Sequence, residues 1–244
     1  MSSETARETA LPKPMPRSRP GGYGHRRAFL QLSAALLLAA LACPARPTAK
    51  ETPPLKIIAF GDSLVAGFGL PNNAAFPAVL EKMLRAEGYR VTVVNAGVSG
   101  DTASGGQARL DWALGDGADG VILELGANDM LRGVDPEVTK AALDAILGEL
   151  KARKIKVLIA GMKAASSLGQ DYKTRFDAIY PGLAKKYDAP LYPFFLEGVA
   201  GEPALTLGDG LHPNPAGVDR IVKGILPDVR AFADQFGAKA ARSE

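Results

Sequence analysis

The stretch "LKIIAFGDSLVAG", residues 55–67, changes character halfway along. Leu55 to Phe60 is apolar but for Lys56, with Ile57 and Ile58 at its centre; Gly61 and Asp62 then interrupt the run, and Ser63 opens a shorter apolar segment. A short apolar run bounded by Gly and Asp reads as a strand covered on both faces, because a half-exposed strand would alternate apolar and polar residues. The same kind of run returns at 91–96 (VTVVNA), 120–126 (GVILELG), 155–161 (IKVLIAG) and 189–195 (APLYPFF). Helical patterns lie between and after them, at 77–88, 103–115, 136–153, 172–188 and 214–236. Pro181 is expected to break or kink the fourth, and Trp112 to pack from the second. Strict alternation of strand and helix predicts a doubly wound α/β domain: one five-stranded parallel sheet with helices on both faces.

In such sheets ligands bind beyond the carboxyl ends of the strands, so the residues that follow each strand carry the information about chemistry. After the first comes "GDSL" with Ser63, after the second "NAGVSGDT" with Gly97, and after the third "GAND" with Asn128. "DGLHP" (209–213) precedes the last helix and supplies Asp209 and His212, the latter one of two histidines in the chain with His25. A serine hydroxyl attacks a carbonyl at neutral pH only if a base takes its proton, and imidazole is suited to that task. A carboxylate holds the imidazole in one tautomer. Acyl transfer also needs donors aimed at the developing oxyanion. Gly97 permits close approach of a backbone N–H, Asn128 offers an amide NH2, and the Ser63 N–H is a third candidate. Each motif alone is an ordinary turn or helix cap; their order, each behind its own strand, points to one site.

These four blocks resemble the SGNH (GDSL) hydrolases. The resemblance runs from about Lys56 to the last helix and is strongest to the bacterial arylesterase and acyl-CoA thioesterase/lysophospholipase group, through "GDSLVAGFGL", "LGANDMLRG", "YPFFLEGVAG" and "DGLHPNPAG". It implies a three-layer α/β/α, flavodoxin-like fold with Ser63 as nucleophile and His212 as base, oriented by Asp209. Ser63, Gly97 and Asn128 would form the oxyanion hole. The implied activity is cofactor-independent, metal-free hydrolysis of aryl or acyl esters, with lysophospholipids and acyl thioesters as further substrates. A carbohydrate O-acetyl esterase and a non-catalytic ligand-binding domain on the same fold are the alternatives. The chain departs from the group after the fourth strand, where relatives carry an Arg-led loop with Pro-Pro-Asn-Tyr-Gly and this chain reads "GMKAASSLGQDY" (161–172). The resemblance therefore leaves acyl-chain length and thioester preference open.

Other polar residues near these blocks have simpler expectations. Asp62 and Asp129 should brace loops through backbone hydrogen bonds, and Asn95 should help place the second loop. Arg132 and Lys163 either meet an acidic head group or lie solvated at the surface.

Residues 1–49 read as an export signal and linker, and 50–244 as the hydrolase domain. "HRRAFLQL" (25–32) is a basic region ahead of the apolar run "SAALLLAALA" (33–42), which is shorter than the roughly 20 residues of a membrane span. Arg26-Arg27 resembles a twin-arginine signal, with the Sec route as the alternative; either predicts an exported, periplasmic protein. Cys43, the sole cysteine, is a candidate lipid anchor and excludes a disulfide within the chain. Residues 1–42 hold six Lys/Arg and two Asp/Glu, so of the chain's net charge of +3 the remainder carries −1. That balance leaves no basic footprint for nucleic acid, and "GDSLVAGFG" lacks the Lys-Ser/Thr ending of a phosphate-binding loop. A small-molecule ester or lipid is the expected partner of a monomer without an integral membrane domain.

Overall fold

Leu55–Gly61 forms the first strand, β1, in the computed structural model, which describes residues 53–239. Ile57, Ile58, Ala59 and Phe60 are fully buried, as a strand covered on both faces requires. β2 (Val91–Gly97) lies parallel on one side, in register from Leu55 with Val91 to Gly61 with Gly97. β3 (Gly120–Glu124) lies parallel on the other, so that Gly61 is level with both Gly97 and Glu124. β4 (Lys156–Ala160) and the edge strand β5 (Leu191–Tyr192) complete a parallel sheet of order β2-β1-β3-β4-β5. This is the flavodoxin-like order, whose switch point falls between β1 and β3.

The helices are α1 (Ser63–Ala66), α2 (Phe76–Ala86), α3 (Ala103–Ala108), α4 (Leu110–Leu114), α5 (Ala127–Leu131), α6 (Pro136–Ala152), α7 (Gln170–Asp177), α8 (Ile179–Tyr187) and α9 (Pro215–Asp234). α2 packs against α9, while α6 packs against α3 and α8, which gives one helical layer on each face of the sheet. Among the described residues no helix is long and apolar enough to cross a membrane. The expected export segment, with its Arg26-Arg27 pair and Cys43, lies outside the described residues.

Where the elements differ from expectation, local chemistry accounts for it. β5 keeps only two residues because Pro190 and Pro193 flank it and neither has an N–H for the ladder. The expected 172–188 helix divides at Ala178: Pro181, third residue of α8, has no N–H for the Asp177 carbonyl. The 103–115 helix divides at Arg109 (φ −110°, ψ 10°). Trp112 does not pack into the domain and is 75% exposed, because Leu110 and Leu114, one turn apart, take the buried face of α4.

Gly97 ends β2 against α1, where a Cβ would stand 2.2 Å from the Ala66 nitrogen and 2.7 Å from the Asp62 carbonyl oxygen. Both are backbone atoms of the corner that carries Ser63, so they cannot swing aside as a flexible side chain would. Gly97→Ala is expected to lower the unfolding free energy by roughly 1–3 kcal/mol, read by urea denaturation. A variant as stable as the parent would mean that the corner yields freely.

Candidate active site

β1 delivers the chain to Asp62, which caps α1 by accepting from the Leu64 N–H at 2.9 Å. Ser63 is the first residue of that helix, so its own N–H has no intrahelical acceptor and its side chain stands at the carboxyl edge of the sheet. The loop before α9 reaches the same edge. Leu207 N–H bonds the His212 carbonyl at 2.7 Å, and Asn214 caps α9 through Gly217 N–H at 3.0 Å, so both ends of "DGLHPN" are tied down. Between them Asp209 Oδ1 accepts from the Leu211 and His212 N–H groups at 2.9 and 3.0 Å.

The result is a relay. Asp209 Oδ2 lies 2.6 Å from His212 Nδ1, and His212 Nε2 lies 2.9 Å from Ser63 Oγ. The backbone hydrogen bonds from His212 and Leu211, with the imidazole itself, hold the Asp209 carboxyl down at about 2, so it is a carboxylate at neutral pH and only accepts. Nδ1 therefore carries the ring proton, which leaves the Nε2 lone pair for the serine hydroxyl. One face of the imidazole is covered by the Phe68 ring, with centroids 4.4 Å apart and planes 34° apart.

Asn128, in the first turn of α5, donates through Nδ2 to Asp62 Oδ2 at 3.0 Å, and its second amide proton has no acceptor among the described residues. Gly97 does not fill the role expected of it: its single N–H donates to Asn95 Oδ1 at 3.0 Å, and it serves packing instead. Asn95 also donates to the Ala66 carbonyl at 3.2 Å, so it does place the second loop. Three residues on, Asp101 N–H bonds the Val98 carbonyl at 3.1 Å to close a turn with Gly100 at φ 84°, the geometry of type II. Among the described residues the Gly100 N–H has no partner.

Several supporting residues were not legible in the sequence. Arg109 donates to the carbonyls of Ala96 at 2.9 Å and Gly61 at 2.8 Å, pairs with Asp101, and lies 4.4 Å over the Phe60 ring. It thus ties the ends of β1 and β2 to the turn that carries Gly100. Arg132, considered above for an acidic head group, donates to the Gly100 carbonyl at 2.8 Å and braces the same turn. Asp129 is buried and accepts from Ala103 N–H at 2.8 Å and Thr139 Oγ1 at 3.1 Å, the bracing role expected of it. Glu124, at the end of β3, is fully buried; one carboxyl oxygen accepts from Asp62 N–H at 3.3 Å and the other has no partner among the described residues. A charged residue inside the apolar run "GVILELG" was the available signal for it.

Ser63, Asn128 and His212 open onto a cleft of about 640 Å³ whose apolar walls include Met130, Leu131, Met162, Phe194, Leu196 and Leu211. The 161–172 segment contributes part of that wall, with Lys163 poised 5.3 Å from the Phe194 ring. Among the described residues no group of three or more His, Cys, Asp and Glu side chains is placed to hold a metal ion.

The model of the GDSL-like Lipase/Acylhydrolase family matches residues 59–220. Esterase TesA of Pseudomonas aeruginosa is 37% identical over 175 residues, 71% of this chain and 87% of that protein. Thioesterase 1/protease 1/lysophospholipase L1 of Escherichia coli K12 is 41% identical over 159 residues, 65% of this chain and 75% of that protein. The crystal structure of AlinE4, an SGNH-hydrolase family esterase, superposes with a TM-score of 0.63 at 45% identity, covering 74% of this chain and 97% of that one.

Burial and the neighbouring Asp62 charge push the Glu124 carboxyl well above its ordinary value, and burial raises Asp62 to about 6. The folded protein therefore holds a proton on Glu124 that the unfolded chain releases above about pH 4.5. Stability from this group is complete below that pH and is lost as pH rises toward the folded-state value, by at most about 1.4 kcal/mol per unit. Glu124→Gln keeps a neutral polar group of the same size. Burial raises Asp62 as well, which adds to the decline up to about pH 6 in both proteins, so urea unfolding between pH 5 and 8 should show a steeper decline in the parent than in the variant; equal slopes would mean that Glu124 is ionised in the fold.

Proposed function

Because the chain belongs to the GDSL-like lipase/acylhydrolase family, we propose that it hydrolyses carboxylic esters by a serine mechanism in which Ser63 is the nucleophile. The observation that carries this reading is the continuous relay from Asp209 through His212 to Ser63 Oγ. His212 Nε2 takes the hydroxyl proton as Oγ bonds to the acyl carbon, and the carbonyl oxygen becomes an oxyanion. It then returns that proton to the departing alcohol, which leaves an acyl-enzyme on Ser63. A water molecule deprotonated by His212 attacks the acyl carbon, the Ser63 Oγ–acyl bond breaks as His212 Nε2 returns that proton to Oγ, and the free acid departs. Asp209 keeps the proton on Nδ1 and faces the imidazolium that forms at each step.

The oxyanion donors in this reading are the Ser63 N–H, the free Asn128 amide proton and the Gly100 N–H, which replaces Gly97 because Gly97 is committed to Asn95. Positive φ at Gly100 sets the orientation of the Ser99–Gly100 amide, since a type II turn presents that N–H on the face opposite to a type I turn. The apolar cleft favours acyl or aryl esters over the carbohydrate O-acetyl ester considered above, whose alcohol would leave hydroxyls against Met130 and Leu131. Lysophospholipids and acyl thioesters remain within this reading, because one named relative is a thioesterase and lysophospholipase. Residues 1–49 serve export in the same reading, on the pattern of Arg26-Arg27 ahead of an apolar run, with Cys43 as the site of any lipid anchor.

A fluorophosphonate probe should label the parent and fail to label Ser63→Ala, and nitrophenyl ester turnover should fall by a factor on the order of 10⁴ with the fold intact. Asn128→Ala should lower kcat by about 10²- to 10³-fold. Absence of labelling in the parent would favour the non-catalytic ligand-binding domain.

A further inference from the structure

We propose that Phe68 is a positioning residue for His212: its ring forms the wall against which the imidazole is held, and its π face stabilises the imidazolium that forms during acyl transfer. This inference rests on the serine-hydrolase reading above. Two hydrogen bonds, at Nδ1 and Nε2, fix two points of the imidazole and leave it free to tilt about the line between them. A third constraint is needed to fix the ring plane. Phe68 supplies it, with ring centroids 4.4 Å apart and planes 34° apart.

The local backbone is built to present this ring. Phe68 directly follows Gly67, the left-handed cap of α1, and both Gly67 and Phe68 donate their N–H groups to the carbonyl of Ser63. The proposed nucleophile therefore opens α1, and the ring that covers its base directly follows the cap that closes it. Gly67 (φ 81°) and Gly69 (φ 73°) flank the ring, and a Cβ at Gly67 would stand 2.5 Å from Ala75 Cβ. The turn is thus pressed close against its neighbours with only Phe68 projecting. Core packing does not explain that side chain, because Phe68 is 49% exposed and its ring contact among the described residues is with His212. An aromatic face carries negative quadrupole density, so it interacts more favourably with a charged ring than with a neutral one. His212 gains a proton in the tetrahedral steps, and the contact therefore favours those steps over the state in which Nε2 accepts from the serine hydroxyl.

The test separates ring electronics from packing. Phe68→Leu keeps an apolar cover without a π face and should lower kcat for a nitrophenyl ester about tenfold with KM within about twofold, whereas Phe68→Tyr should retain near-parental kcat. Pentafluorophenylalanine at position 68 preserves the shape while reversing the quadrupole, and should lower kcat at least as far as leucine does. Fluorophosphonate labelling of the parent, measured first, establishes that the serine-hydrolase reading holds independently of this one. A leucine or pentafluorophenyl variant with parental kcat overturns the inference. So does a loss confined to KM, which would make Phe68 a substrate contact, or an equal loss in the tyrosine variant.

Discussion

A buried carboxylate at the end of β1 organises the site. Asp62 has no solvent exposure, yet each of its polar groups is used: its N–H donates to Glu124, Oδ1 accepts from Leu64, Oδ2 accepts from Asn128, and its carbonyl accepts from Ala66. Removing a carboxylate from water is costly unless hydrogen bonds replace the solvent, and these replacements are what define the geometry. Because Asp62 only accepts, the Asn128 amide must face it with nitrogen rather than oxygen. Both protons sit on that nitrogen, so the bond that satisfies Asp62 also leaves a donor free at the carboxyl edge. The orientation proposed for an oxyanion donor is thus set by the solvation needs of a residue that never meets substrate.

The same corner accumulates unfavourable electrostatics. Glu124 stands beside Asp62 at full burial, and the pair is tolerated only because Glu124 holds its proton. Neutral Glu124 adds no second charge while still receiving the Asp62 N–H, which closes β3 onto the β1 corner. Arg109 provides the compensation on the other side, with its guanidinium shared between strand-end carbonyls, Asp101 and the face of Phe60. The strand-end carbonyls of Gly61 and Ala96 and a turn without regular structure are joined by one planar cation whose donors match that spacing. α1 has only four residues and cannot sustain itself as a helix; its caps, the Gly97 contact and this clamp hold it.

What the sequence disclosed, and what it did not, follows from the range of each interaction. β1, β3 and β4 were legible because burial on both faces demands continuous apolar runs, whereas β2, at the sheet edge, alternates buried with half-exposed residues; the relay was legible because Ser63, Asp209 and His212 lie in short motifs whose turn chemistry is local. β5 was overestimated because its apolar content is genuine but Pro190 and Pro193 remove ladder donors. Gly97 was assigned to the oxyanion because a glycine after a strand permits close approach; it does, but to Ala66 rather than to a ligand. The "VSGD" turn three residues on carried its own signal, a glycine in the position that a type II turn requires. Arg109 and Phe68 were invisible for a different reason. Arg109 reaches Gly61 across 48 positions and Phe68 meets His212 only after both loops close, and no local pattern encodes either contact.

The cleft sets a limit on selectivity. Its walls combine two thioethers, Met130 and Met162, with leucines and a phenyl ring, and the 161–172 segment that forms part of the rim has no proline in it. Thioether side chains adapt to the shape of what they contact, and a rim without prolines gives less rigid opposition than the Pro-Pro turn of the related group. An apolar pocket gains only about 1–3 kcal/mol of discrimination per methylene even when it is rigid. A soft one gains less. In the mechanism proposed above, selectivity would reside at the other end of the cleft, where Asp62, Arg109 and the Gly100 turn brace the proposed oxyanion donors. On that reading the acyl carbon is the part of the substrate held closely, and an adaptable apolar wall beyond it would discriminate chain length weakly.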